Sequence, residues 1–263
     1  MCLPLIFNTH RASAPPKNYG QAPYLIGLKL RMNEFILHNG QALPNDLNLP
    51  FKWQDSSSEP KLGDLGFYEG CLQAFDGERW QSLDLAQTVH HHRPSPKGFA
   101  NEPLVKALGL IKSKPARVID ASCGTAKDAL QIWSFGVKVV AFERHPMVYA
   151  LLWDGLRRAK IPNFELIFGD ACEQKFNADD IVFFDPMFEQ TDKKKSLPRK
   201  EMQLFKSAVG QDSDQAQVLE KLLVSGCARV VVKRPLKLES VPKPNHSIIG
   251  KTIKYDVYLP LLS

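Results

Sequence analysis

Cysteine is scarce and scattered. The 263 residues hold five (Cys2, Cys71, Cys123, Cys172 and Cys227), and no two stand at C-x-x-C spacing. Neither a zinc site nor a redox pair is signalled. An odd number of separated thiols fits a reducing cytoplasm better than a disulfide framework. Long apolar runs are missing as well: none approaches the ~20 residues of a membrane-spanning helix. The N-terminal stretch MCLPLIFNTHRASAPP has an apolar patch but no basic region ahead of it, a poor secretory signal. No internal repeat and no low-complexity tract occurs. These absences point to a cytoplasmic protein that needs neither metal nor disulfide.

What is present is ordinary in bulk and biased in charge. Hydrophobic residues make up 44% and charged residues 24%, enough for a sizeable core. The formal net charge is +6. An anionic partner fits that balance, nucleic acid being the commonest, although a merely basic enzyme has it too.

Along the chain, Pro, Asn and Ser recur through about residue 60, and Tyr24 to Leu37 holds enough apolar residues for a strand or two. Leu65 to Phe75 reads as strands, with Asp76-Gly77 as the turn dipeptide. A small β-rich part over residues 1–95 is the result. The run His90-His91-His92 suggests a metal at first sight. Neighbours in an extended chain point to opposite faces and rarely converge on one ion, so an exposed basic linker or an edge of an RNA-facing surface is the better reading. Ser95-Pro96-Lys97-Gly98 marks the boundary to residues 96–263.

Beyond that boundary the rhythm turns regular. Strands are expected at Arg117–Asp120, Val137–Phe142, Phe164–Phe168, Ile181–Phe184 and Arg229–Lys233, alternating with helices at Glu102–Leu110, Ala126–Phe135, Met147–Ala159 and Lys200–Val224. Ser247–Ile249 and Ile253–Leu259 close the chain as a strand pair. This pattern predicts an α/β fold, a mostly parallel Rossmann-like sheet with helices on both faces.

Ligands of such sheets lie beyond the carboxyl ends of the strands. There the sequence places Asp120, Glu143, Asp170 and Asp185, one acid after each of four successive strands. The turn Asp120-Ala-Ser-Cys-Gly-Thr-Ala-Lys-Asp128 contains one glycine, Gly124, and is neither G-x-G-x-x-G nor G-x-x-x-x-G-K-[ST]. It disfavours a dinucleotide or a phosphate cradle and suits a smaller cofactor such as S-adenosylmethionine. Glu143, about 20 residues on, is placed to accept hydrogen bonds from ribose hydroxyls. Ile181-Val-Phe-Phe-Asp-Pro-Met-Phe188 reads as a strand buried on both faces that stops at Pro186. Asp185 and the Pro186 carbonyl can accept hydrogen bonds from an exocyclic amine, and Phe188 can stack on a flat base.

Further runs add to these two. They are Phe142-Glu-Arg144, Leu151-Leu-Trp-Asp-Gly-Leu156, Lys194-Lys-Ser-Leu-Pro-Arg-Lys-Glu-Met202, Val209-Gly-Gln-Asp-Ser-Asp214, Arg229-Val-Val-Val-Lys-Arg-Pro235 and Tyr255-Asp-Val-Tyr258. In this order, over roughly the last 160 residues, the set resembles the bacterial 16S rRNA guanine-N2 methyltransferase family. The resemblance implies a seven-stranded class I methyltransferase fold and S-adenosylmethionine as donor. It implies cofactor contacts at Lys127, Asp128, Glu143, Arg144, Asp170, Ala171 and Asp185, to which Asp120, Ser122 and Gly124 of the turn are added. The chain departs from the family at Ala126-Lys127-Asp128, where Gly-Arg-Asp is usual, and at Glu189, where the family has proline. The family's histidine-arginine, glycine-rich segment is reduced to His92-Arg93 and Gly98.

Lys193, Lys194, Lys195, Arg199 and Lys200 follow the Asp185 loop, and Lys233 and Arg234 end the next core strand. Beside such a loop these residues are expected to bind RNA phosphates. The expected activity is methyl transfer to guanine N2 in 16S rRNA, free or in the small subunit, with Asp185, Pro186 and Phe188 at the reacting amine. Rival readings are a methyltransferase for adenine N6, a protein glutamine or a small molecule, and a non-catalytic RNA-binding assembly factor.

Overall fold

In a computed structural model the described residues are 34–38, 49–56, 58–91, 98–112, 115–186 and 214–260. All lie in one compact unit, Glu34–Ser263. Five strands come first: β1 (Glu34–His38), β2 (Lys52–Ser56), β3 (Leu65–Tyr68), β4 (Cys71–Phe75) and β5 (Trp80–Gln81). They form a mixed sheet in the order β2-β1-β3-β4-β5, parallel over the first three and antiparallel over the last three. The expected turn dipeptide is corrected here. Glu69 and Gly70, both at positive φ (54° and 78°), make the two-residue turn between β3 and β4, as a hairpin with right-handed strand twist requires. Asp76-Gly77 belongs instead to the loop before β5, where the Asp76 carboxylate accepts the backbone N–H groups of Glu78 and Arg79.

Helix α1 (Leu85–His91) follows. The histidines at 90 and 91 therefore end a helix and do not lie in an extended linker. After a 3-10 turn at Phe99–Asn101 come α2 (Pro103–Leu108), β6 (Val118–Asp120), α3 (Lys127–Ser134), β7 (Val139–Glu143), α4 (Pro146–Ala159), β8 (Phe164–Phe168), a second 3-10 turn at Ala171–Glu173, and β9 (Ile181–Phe184). Then come α5 (Gln215–Leu223), β10 (Arg229–Pro235), β11 (His246–Ile249) and β12 (Ile253–Tyr258). Of the helix expected over Lys200–Val224, residues 200–213 lie outside the described part.

The larger sheet has the order β11-β12-β10-β9-β6-β7-β8. β10, β9, β6, β7 and β8 run parallel, β12 runs antiparallel to β10, and β11 runs antiparallel to β12. The expected doubly covered α/β architecture is what forms. Every residue of β7 and β9 is buried, the mark of strands covered on both faces.

One hydrophobic cluster joins the two sheets: Leu65, Phe67 and Leu72 pack with Leu130, Leu151, Leu152 and Phe183. The other face of the large sheet packs Ile119, Val182 and Val230 against Val218, Leu219 and Leu222 of α5. The Asp154 carboxylate of α4, fully buried, accepts the Leu72 backbone N–H of β4 and pairs with Arg157 and Arg158. Those two guanidiniums also donate to the Gly70 and Leu83 carbonyls. α1 approaches α4 so closely that a Cβ on Gly155 would sit 2.9 Å from Leu85 Cγ. Among the described residues no helix is long and apolar enough to cross a membrane.

Candidate active site

The parallel strands β9, β6, β7 and β8 are neighbours, and all present their carboxyl ends on one side. Asp185, Asp120, Glu143 and Asp170 follow from those ends and line one cavity of about 380 Å³. Ser122, Gly124, Lys127, Asp128, Arg144 and Lys233 line it too, with Phe142, Val148, Phe184 and Val218 as apolar walls. The sequence-derived acids thus converge because strands that are distant in the chain lie side by side.

The turn after β6 is wired to the neighbouring strand ends. The Asp120 carboxylate accepts the Ser122 backbone N–H at 3.0 Å. Ser122 Oγ accepts the Asp185 backbone N–H at 2.8 Å. The Glu143 carboxylate accepts the Gly124 N–H at 3.0 Å and the His145 N–H at 2.7 Å, one on each oxygen. Ala126, the family's glycine position, takes a left-handed conformation (φ 58°) ahead of α3. That conformation costs about 1–2 kcal/mol for a residue with a Cβ. The Ala126 methyl is fully buried in the core, and burial of one such group returns about 0.8 kcal/mol. Burial thus offsets only part of the cost of the left-handed conformation.

Three carboxylates surround one ammonium. Lys233 Nζ lies 2.7 Å from Asp128 Oδ2 and 2.8 Å from Asp185 Oδ2, and fully buried Asp120 lies nearby. Burial pushes the Asp120 carboxyl up to about 8, with the Ser122 N–H opposing and the charges of Asp128 and Asp185 adding to it. Burial also raises Asp185 to about 7, against the pull of Lys233 and with Asp128 reinforcing it. Burial pulls the Lys233 ammonium down, but the two carboxylates outweigh it and hold it above its ordinary range. The cluster carries more acid than base, so it retains a proton near neutrality.

Several residues expected at the site stand elsewhere or do different work. Lys233, expected on RNA phosphate, turns its charge inward onto Asp128 and Asp185. Arg234 is 6% exposed. Its guanidinium lies 3.0 Å from the buried Asp256 carboxylate and donates to the Val241 carbonyl. Alternation along β10 explains both: successive side chains face opposite sides of a covered sheet, and each charge needs an internal partner. Ala171, expected beside a cofactor, is fully buried in the α5-side cluster and does not line the cavity. Asp170 caps the turn that carries it, accepting the Cys172 N–H. Pro186 is buried next to Asp185. Arg144 forms a two-pronged pair with Asp214, at 2.7 and 3.0 Å, and lies 3.3 Å from Asp170. It thereby ties the start of α5 to the cavity rim, where Asp214 and Gln215 stand. Spacing gave no sign of that pair, because its partners are 70 residues apart. Phe188, Lys193, Lys194, Lys195, Arg199 and Lys200 lie outside the described residues. Among the described residues no group of three or more His, Cys, Asp or Glu side chains is arranged to hold a metal.

The lining fits a nucleoside that carries positive charge. Apolar walls suit a flat ring, the Glu143 carboxylate on the cavity wall suits ribose hydroxyls, and the excess of carboxylate suits a cationic centre. The volume lies within the usual range of small-molecule sites.

The chain is similar to known proteins over most of its length. Residues 78–260 match the family described as "Putative SAM-dependent methyltransferase". The chain is 32% identical over 247 residues to "Ribosomal RNA small subunit methyltransferase J" of Thioalkalivibrio sulfidiphilus, covering 86% of this chain and 95% of that protein. It is 34% identical over 254 residues to the protein of the same name from Ectopseudomonas mendocina, covering 87% and 94%. Among solved structures, a SAM-dependent methyltransferase of Neisseria gonorrhoeae superposes with a TM-score of 0.65 at 27% identity, covering 87% of this chain and 96% of that one. With its strand-end acids gathered on one cavity and the family match running over residues 78–260, this chain belongs to the S-adenosylmethionine-dependent methyltransferase family of these small-subunit methyltransferases.

Proposed function

We propose that the enzyme methylates the exocyclic N2 amine of a guanosine in 16S ribosomal RNA, free or within the small subunit, and that it acts in the cytoplasm. The relatives' names support the RNA. The observation that carries the chemistry is Asp185, standing at the end of β9 on the cavity and held there by Lys233 and by its own backbone bond to Ser122. In this reading residues 96–263 are the catalytic part and residues 1–95 an accessory part.

Bound S-adenosylmethionine supplies a methyl group on a sulfonium, which needs no covalent enzyme intermediate. The protein's task is placement. Glu143, which pins the Gly124 turn, would accept from the ribose hydroxyls. Asp120, Ser122, Gly124, Lys127 and Asp128 would hold the rest of the cofactor, with Arg144 and Asp170 at the rim. Asp185 and the Pro186 carbonyl would accept hydrogen bonds from the amine N–H groups and so orient its lone pair for transfer, and Asp185 would take the one proton that the amine loses. Near neutrality a carboxyl raised to about 7 is well matched to taking up that proton. Phe188, by its residue type, would supply the ring to stack on the base once that base has left its own stack.

The test is to incubate the purified chain with isotope-labelled S-adenosylmethionine and either naked small-subunit rRNA or assembled small subunits. The RNA is then digested to nucleosides. Label in N2-methylguanosine is expected. Label in N6-methyladenosine, or in protein or small molecules only, would overturn the reading.

A further inference from the structure

The two residues at the end of β10 that the sequence offered to RNA are committed inside the protein. The same end of the sheet carries other cations. β12 runs antiparallel to β10, with Arg234 opposite Lys254 and Pro235 opposite Ile253. β11 pairs with β12, with Ile249 opposite Lys254. The β11–β12 turn, which holds Lys251, therefore lies at the carboxyl end of the parallel strands, as the cavity does. The Leu236 backbone N–H donates to the Thr252 carbonyl at 3.1 Å, which brings Lys237 beside that turn. Lys237 and Lys251 are exposed and Lys254 is half-buried. No carboxylate pairs with any of them among the described residues, whereas Lys138, at the amino end of β7, pairs with Glu165. Glu239 is the one acid in residues 236–254, against Lys237, Lys243, Lys251 and Lys254. Leu236 and Ile249, exposed at 38% and 60%, lie between the cations.

We infer that Lys237, Lys251 and Lys254 form a phosphate-binding surface for the RNA strand flanking the target nucleotide. The inference rests on the RNA substrate proposed above and assigns that RNA a track across the protein. Neighbouring strands lie about 5 Å apart. β12 is two strands from β9 and β11 is three, so the strand ends that carry Lys251 and Lys254 lie roughly 10–15 Å to the side of the end of β9, and Lys237 follows β10 between them. An RNA whose target base enters the cavity has its adjoining backbone at that range. Phosphates are the chemistry that fits: the groups are of one sign, have no carboxylate partner among the described residues, reach solvent fully at Lys237 and Lys251 and partly at Lys254, and are set on strand ends and a tight turn fixed by backbone pairing. Such contacts hold register on the backbone and do not read the base.

The test compares two full-length variants with equal loss of charge. One carries Lys237→Gln, Lys251→Gln and Lys254→Gln. The control carries Lys112→Gln, Lys138→Gln and Lys160→Gln, all exposed at the amino ends of the parallel strands. Binding of small-subunit rRNA is measured against salt, with cofactor affinity and thermal melting alongside. For the first variant we expect weaker RNA binding and a salt slope shallower by ~2–3, from three contacts at ~0.7–0.9 each. Its cofactor affinity and melting should match the parent, and the control should bind RNA as the parent does. An unchanged slope in the first variant, or an equal change in the control, would overturn the surface and leave the substrate reading standing. A parent enzyme that never methylates RNA would overturn both. Weaker transfer on assembled subunits with no change on naked RNA would assign the patch to a ribosomal protein, and also overturns it.

Discussion

Lys233 Nζ bridges Asp185 and Asp128 at 2.8 and 2.7 Å, so one ammonium fastens the end of β9 to the first turn of α3. Lys233 lowers the pKa of Asp185 against the burial that raises it. Replacing it with Met should leave a folded protein and slow single-turnover methyl transfer by about ten- to a hundredfold, the worth of a charged hydrogen bond of ~1.5–3 kcal/mol. The acid limb of the pH–rate profile should also move up from about 7. A slower reaction with an unmoved limb would mean that Lys233 acts only as a structural tie.

Asp185→Ala removes the proposed proton acceptor itself. Single-turnover methyl transfer at saturating cofactor and RNA should fall by orders of magnitude, because placement and proton acceptance are lost together. The melting temperature should stay near the parent's. A folded variant with near-parental turnover would remove Asp185 from the mechanism.

Glu143 has two jobs, which different variants should separate. Glu143→Ala strips the Gly124 and His145 N–H groups of their acceptor as well as the cofactor ribose. It should weaken S-adenosylmethionine binding about ten- to a hundredfold and also lower stability by ~1–3 kcal/mol. Glu143→Gln keeps one acceptor oxygen and should fall between parent and alanine variant in both calorimetric affinity and denaturant midpoint.

Asp120 predicts a pH dependence of stability. Its folded pKa, about 8, lies above the ordinary carboxyl value of about 3.9. Folding therefore favours its protonated form. The resulting contribution is complete below about pH 4 and is lost as pH rises through about 8. Thermal melts between pH 6 and 9 should show Tm falling with pH in the parent. They should fall less in Asp120→Asn, which keeps an acceptor for Ser122 and cannot ionise. Parallel curves would show that Asp120 does not titrate in this window.

Asp154→Ala should be the most damaging change far from the cavity. It leaves two guanidiniums and the Leu72 N–H without their buried acceptor. Loss of one partner from a buried ion cluster costs about 3–5 kcal/mol, which at ~2–4 °C per kcal/mol lowers Tm by ~6 °C or more. Cofactor affinity of the folded fraction should stay parental.

Much of the large sheet was legible in the chain itself. Ile181 to Phe184 and Val139 to Phe142 are continuous apolar runs, and such runs satisfy a strand only when both its faces are covered. That condition and the alternation with amphipathic helices imply a parallel sheet. Its carboxyl ends fall where the apolar runs stop, which placed Asp120, Glu143, Asp170 and Asp185 on one crevice without any knowledge of strand order. The hairpin of β3 and β4 was less legible. Glu69-Gly70 carries its turn by backbone conformation, whereas the conspicuous Asp76-Gly77 serves the next loop.

What each charge does was decided by tertiary structure alone. Lys233 and Arg234 are consecutive cations at a strand end, and local sequence makes them look exposed. The strand is central, so alternation sends Lys233 to Asp185 and Asp128 on one face and Arg234 to Asp256 on the other. Arg144 meets Asp214 across 70 residues, and Asp154 meets Leu72 across 82. No periodicity encodes these pairings. The sequence by itself determined where the polar groups interrupt the apolar pattern, and so where a site can form. Only packing decided which of those groups neutralise one another and which remain for a ligand, because a buried charge is satisfied by whatever the fold brings within about 3 Å of it.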